Sequence, residues 1–175
     1  MDYAIILCFD METEAKFNKI INTVSESSGN NYMLDNKIPP HITISYFCTD
    51  NINQIINMLD NNYSEFNEGE IFWASLGAFV PHTVFASPVL GEYLFNACVK
   101  ANELVKGLAD YGDYGQYLPN QWVPHTTLVT KLNKEEAEKA FNAAAQKFSM
   151  FGGKSNRLVL AECNPYKKIK TWNLV

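Results

Sequence analysis

Apolar positions along the chain follow two different periods. Residues 3–9 are almost continuously apolar, the pattern of a strand buried on both faces. Met11, Ala15, Phe17, Ile20, Ile21 and Val24 then recur at helical spacing, and Ser27-Ser28-Gly29-Asn30-Asn31 ends that helix near residue 27. Pro39-Pro40 opens a strand over 41–48, in which His41, Thr43 and Ser45 alternate with Ile42, Ile44 and Tyr46. Ile52, Ile55, Ile56 and Leu59 form one face of a helix over 51–62, capped by Asp50 or Asn51. A β-rich run over 71–80 and a short one over 84–86 flank a turn at Pro81-His82. Leu90, Leu94, Cys98, Ala101, Leu104 and Leu108 predict a helix from about 89 to 110, followed by a Gly-, Asp- and Tyr-rich loop over 111–117. A strand over 122–132 follows. Asn133 and Glu136 have the spacing of a capping box, and they open a helix to about 148. Gly152-Gly153 reads as a turn, and runs over 157–163 and 169–174 read as a hairpin around Asn164-Pro165.

The two halves share this order. Each runs strand, helix, loop, and then a strand that opens on proline and histidine. The first motif is Pro40-His41-Ile42-Thr43-Ile44 and the second is Pro124-His125-Thr126-Thr127-Leu128, about half a chain apart, with a helix after each. This is the mark of an internal duplication. It predicts one bilobal α+β domain over 1–175, with halves related by a pseudo-two-fold axis. Two antiparallel sheets would face a central cleft, with helices outside.

Composition narrows the partners. The 175 residues are 47% apolar and 19% charged, a globular profile with no run long enough to cross a membrane and no signal-peptide pattern at the start. The formal charge is −5, and Arg157 is the sole arginine, so a broad basic face for nucleic acid is not expected and bidentate phosphate clamps are scarce. Cys8, Cys48, Cys98 and Cys163 form no CxxC pair and read as free thiols in a reducing, cytoplasmic setting.

In a strand, residues i and i+2 share a face. His41 with Thr43, and His125 with Thr127, therefore bring two imidazoles and two hydroxyls to one cleft if the halves face each other. Imidazole exchanges a proton near neutral pH. One neutral histidine can take the proton of an attacking oxygen while a protonated one delivers a proton to the leaving oxygen. The hydroxyls can bond phosphoryl oxygens where charge builds. The scheme calls for no metal and no cofactor. His82 is the control: it also follows proline, but its i+2 neighbour is Val84 and it lies in a turn.

The paired HxT motifs (41–44 and 125–128), the proline before each histidine, Trp122 upstream of the second motif and Leu76-Gly77-Ala78-Phe79 in mid-chain resemble the two-histidine (2H) phosphoesterases, most nearly their 2′-5′ RNA ligase-like, or LigT-like, branch. The resemblance implies metal-independent hydrolysis of 2′,3′-cyclic phosphates of nucleotides or RNA ends, with 2′-phosphate products. It implies His41 and His125 as the catalytic pair and Thr43 and Thr127 as phosphate binders. The alternatives are a 2′-5′ RNA ligase using the same site, a non-catalytic module that binds phosphonucleotides or RNA ends, and a metal hydrolase using His41, His82 and His125. A monomer is expected. Two departures stand out. Many LigT-like members carry a basic residue where this chain has Thr130, and strand alternation would let Lys131 substitute by pointing to the motif face. Thr126 replaces an aliphatic residue inside the second motif, which predicts a less buried back face.

Phe79 and Trp122 are the candidates for stacking on a base. Alternation puts Tyr46 on the face opposite His41, in the core. Lys37, the Lys167-Lys168-Lys170 run and the acidic cluster Glu65, Glu68 and Glu70 read as solvated surface.

Overall fold

The structure is a computed structural model and describes residues 1–111 and 115–175. The loop expected over 111–117 therefore lies partly outside the described residues. Seven strands form one antiparallel sheet: β1 (Asp2–Phe9), β2 (His41–Cys48), β3 (Gly69–Phe79), β4 (Thr83–Pro88), β5 (Thr126–Thr130), β6 (Phe151–Glu162) and β7 (Lys167–Asn173). The helices are α1 (Met11–Ser28), α2 (Tyr32–Asp35), α3 (Ile52–Asn62), α4 (Glu92–Val105) and α5 (Lys134–Lys147), with a 3₁₀ turn at Tyr63–Glu65. The sequence pattern did not reveal α2, a single turn too short to show a period.

The sheet runs β2-β1-β6-β3-β4-β5, with β7 also on β6. The two expected sheets thus share a strand. Phe151 to Ser155 of β6 pair with β3, while Ser155 to Glu162 pair with β1 and Arg157 to Glu162 with β7. The expected turn at Gly152-Gly153 is part of this strand, because both glycines pair with β3 at Phe72 and Ile71. The outer strands of the halves, β2 and β5, approach each other across the cleft.

β1 is buried from Tyr3 to Phe9, as a strand covered on both faces must be. Tyr3, Ile5, Leu7 and Phe9 enter the main core, while Ala4, Ile6 and Cys8 join Val159 in a small cluster on the other face. At the heart of the main core Phe9, Phe17, Trp73 and Phe151 pack with ring centroids 4.9–5.6 Å apart.

Side chains cap three of the helices, Asn51 on α3 and Asn133 on α5 as the sequence predicts and Asp10 on α1 in addition. Asp10 accepts from Thr13 N at 2.8 Å at the start of α1, and Gly29, at φ 78°, closes its end. Asn133 and Glu136 form the full capping box of α5. Packing crosses between the halves: α1 lies against α5 and β5, and α4 against β2. Among the described residues no helix is long and apolar enough to cross a membrane.

Candidate active site

Both motif strands carry the same irregularity. In β2, Ile5 pairs with Ser45 and Ile6 with Thr43, so Ile44 is an extra residue; in β5, Val84 pairs with Val129 and Phe85 with Thr127, so Leu128 is extra. Each bulge follows the HxT motif directly and shifts the alternation by one. Ile44 and Ser45 are consecutively buried, and so are Leu128 and Val129. The next residue then returns to the cleft: Tyr46 in β2 and Thr130 in β5. This corrects two expectations. Tyr46 shares the cleft with His41 instead of lying opposite it. Thr130, not Lys131, occupies the motif face of its strand.

The cleft is a cavity of about 340 Å³, and His41, Thr43, His125 and Thr127 all line it. The two imidazoles are oriented alike. His41 Nδ1 lies 2.7 Å from Pro39 O, and His125 Nδ1 lies 2.8 Å from Val123 O. A carbonyl only accepts, so in the neutral rings Nδ1 carries the proton and donates it, leaving Nε2 free. Each histidine thus uses a backbone carbonyl two residues upstream to fix its tautomer, and the extended X-Pro-His segment provides that carbonyl.

Burial pushes the His41 imidazole down to about 4, against the pull of its Pro39 contact, and the neighbouring His125 lowers it further. Burial also holds His125 below the ordinary imidazole value, opposed by Val123 O. Phe79 and Phe85 pack against the His125 ring at 5.0 and 5.2 Å between centroids. Phe85 lies over Gly77 on the neighbouring strand, where a Cβ would sit 2.5 Å from its ring.

Lys131 reaches the cleft by another route. Its φ of 60° takes it out of the strand, and its ammonium lies 4.3 Å from the centre of the Tyr32 ring on α2. Among the described residues it is the one cation lining the cavity, which has no carboxylate there. Thr130 is bonded to Thr83 at 2.8 Å. Phe79 stands at the rim and is 42% exposed.

Trp122 is 6% exposed, so no free face remains for a base; its indole N–H donates to Thr43 O at 3.0 Å and braces the first motif from the loop before the second. Thr126 is fully buried, contrary to the exposed back face expected, because its hydroxyl accepts from the Trp73 indole at 3.1 Å. His82 is a turn residue: its ring bonds Leu132 O at 3.2 Å, and it does not line the cleft. The three histidines therefore do not converge, and no group of metal-ligating side chains is found among the described residues.

The solvated-surface readings hold for Lys37, Lys167, Lys168, Glu65 and Glu70, while Lys170 and Glu68 are half-buried in ion pairs. Lys37 is exposed and away from the cavity, and Lys170 is paired with Asp60 at 2.7 Å.

Two supports escaped the sequence pattern. The Tyr46 ring stacks on Tyr117 at 5.7 Å, and its hydroxyl donates to Asp2. Asn102, buried on α4, accepts from Ser45 Oγ and donates to Ile44 O and Tyr117 O, each at 3.0 Å. One carboxamide thus ties the β2 bulge to the loop carrying Tyr117. An asparagine inside an apolar helix was the available signal, since a buried amide needs several partners.

No family model matches this chain, and no curated protein does. Solved structures do. The protein TT0787 of Thermus thermophilus is 14% identical, with 99% of this chain and 98% of that one covered and a TM-score of 0.65. A structure described as a phosphoesterase is 10% identical over 99% and 98%, with a TM-score of 0.59. Usb1 of Kluyveromyces marxianus is 10% identical over the same shares, with a TM-score of 0.54. At these identities the likeness speaks for the fold alone, which this chain shares along its whole length with these structures.

Proposed function

We propose that the chain is a metal-independent cyclic phosphodiesterase that opens 2′,3′-cyclic phosphates of nucleotides or RNA ends to 2′-phosphates. The carrying observation is the matched pair of imidazoles, each with Nδ1 on a carbonyl and Nε2 free, beside Thr43 and Thr127 in a cleft without carboxylates among its described lining. With the phosphorus between the rings, one neutral Nε2 takes a proton from water as its oxygen bonds to phosphorus. The P–O3′ bond breaks, and the other ring, protonated, gives its proton to O3′. Thr43 and Thr127 donate to the non-bridging oxygens, and Lys131 swings from Tyr32 to the anion. Phe79 contacts the nucleoside at the rim. The fold supports this reading, since it is shared with a protein described as a phosphoesterase.

Phosphorus NMR of the four 2′,3′-cyclic mononucleotides in excess EDTA tests it. A chelator-resistant 2′-phosphate product is expected. His41→Ala and His125→Ala should each lose at least about a hundredfold in rate, the usual scale of acid–base catalysis. Near-normal turnover in either variant removes the mechanism.

A further inference from the structure

A single buried side chain joins the walls that carry the two motifs. Asn102 sits among apolar residues on the buried face of α4 and is 5% exposed. Three carbonyls surround its amide nitrogen: Ile44 O on β2 at 3.0 Å, Tyr117 O at 3.0 Å, and Cys98 O, one turn earlier on α4, at 2.8 Å. A carbonyl only accepts, so the nitrogen must face all three. The amide oxygen then faces Ser45 Oγ, which donates to it at 3.0 Å. An aspartate of the same size would lack these donors, and a leucine would lack both donors and acceptor.

Each end of this bridge lies close to a cleft imidazole. Ile44 is the extra residue of the β2 bulge and directly follows Thr43, whose own carbonyl is held by the Trp122 indole. Two successive carbonyls at the bulge are thus bonded by side chains from beyond the sheet. Ile44 and Ser45 are fully buried in a close-packed interior, so a change in their placement carries Thr43 and His41 with it. At the other end, the Tyr117 ring stacks on Tyr46 at 5.7 Å and stands 6.4 Å from the His125 ring, centroid to centroid. Asn102 therefore links the strand that bears His41 to the aromatic ring that borders His125.

We infer that Asn102 is a positioning residue for the histidine pair: its carboxamide sets how far the first motif stands from His125, and so the gap in which a phosphorus atom is held between the two imidazoles. It does not line the cleft and acts through Ile44, Ser45 and Tyr117. For its effect on rate the inference rests on the phosphodiesterase reading. The separation of the rings is a property of the empty protein and can be followed without turnover. The physical reason is the short reach of proton transfer. A ring must stand within about 2.6–3.2 Å of the oxygen it serves, and a displacement of about 1 Å costs up to about a hundredfold in rate.

The test sets Asn102→Leu, which keeps the volume and removes the bridge, beside Leu59→Ala, a core variant on α3 away from the cleft. Each is assayed below its own melting temperature. Two quantities are read: kcat and KM on the four 2′,3′-cyclic nucleotides, and the pH titration of the His41 and His125 ring nitrogens by NMR without ligand. In Asn102→Leu kcat should fall about ten- to a hundredfold, with KM changed much less. Both rings should titrate closer to pH 6.5 than in the wild type, because a loosened cleft buries them less and each feels less of the other's charge. Leu59→Ala should keep the wild-type kcat and titrations despite its lost stability. If Asn102→Leu does not fold, Ser45→Ala, which removes one bond of the bridge, should show both changes in the same direction and to a smaller extent. Wild-type kcat and titrations in the bridge variants, or the same changes in Leu59→Ala, would overturn the inference. So would a fall in kcat with unmoved titrations, since the rings would then have kept their places. If the wild type turns over none of the cyclic nucleotides, the phosphodiesterase reading falls alone, and the titrations decide the positioning role.

Discussion

An imidazole in water loses its proton near pH 6.5, and both cleft histidines are held below that value by burial. In the proposed reaction the reactive form of the free protein carries one proton on the pair, one ring as acid and the other as base. Raising the pH through the upper of the two depressed values removes the acid. Lowering it towards about 4, the value for His41, protonates the base as well. The bell of kcat/KM should therefore centre below pH 6.5. A bound phosphodiester anion favours the imidazolium, so the profile of kcat should lie at higher pH than that of kcat/KM. A kcat/KM optimum at or above neutrality would show that the burial deduced for the empty cleft does not govern the working pair. At this scale the residues that meet in the cleft were legible because they recur: His41 and Thr43 repeat as His125 and Thr127. Tyr46 and Lys131 were misplaced because each departs from simple alternation, Tyr46 through a bulge and Lys131 through a left-handed backbone. Neither departure leaves a mark in residue identity.

At the scale of elements, the second motif strand is supported from its flank. Gly77 on β3 faces Phe85 on β4, whose ring lies over the glycine and touches His125. The absence of a side chain at Gly77 sets how far that ring stands from the imidazole. In Gly77→Ala the new methyl would fall 2.5 Å from the ring, so Phe85 must move, and His125 is among its neighbours. A misplacement of about 1 Å at a catalytic group costs up to about a hundredfold. The expected result is a kcat lower by about ten- to a hundredfold, with the circular-dichroism spectrum retained. An unchanged kcat would mean that Phe85 yields away from the histidine and takes no part in placing it. Most elements could be read from periodicity because their apolar faces repeat. The ends were less legible: the strand predicted over 122–132 is only Thr126–Thr130, and the helix predicted to about 110 stops at Val105. In each case apolar residues continue the pattern while belonging to loops that pack on the core, as Trp122 does.

At the scale of the whole molecule, the halves are joined more closely than a repeat of two lobes requires. β6 belongs to both, pairing with β3 at its start and with β1 and β7 beyond. α1 follows β1 in the chain yet packs on α5 and β5, while α4 packs on β2. Buried residues of both halves fall into one main cluster, from Tyr3 to Leu174. The repeat was visible in the sequence, but this exchange was not, because periodicity shows which face of an element is apolar and not which partner covers it. The physical consequence concerns cooperativity. If each half had its own core, one could melt while the other stood. With the core shared, losing either half exposes apolar surface of the other, and the intermediate is unfavourable. Urea unfolding followed by tryptophan fluorescence, by far-ultraviolet circular dichroism and by nucleotide binding should give one coincident transition. Trp73, against Phe9 and Phe17, and Trp122, bonded to Thr43 O, report on contacts between the halves, and Trp172 on β7 beside the first. Loss of binding before the bulk of the helical signal would show that the halves separate, and that the facing histidines depend on a docking step weaker than the fold of either half.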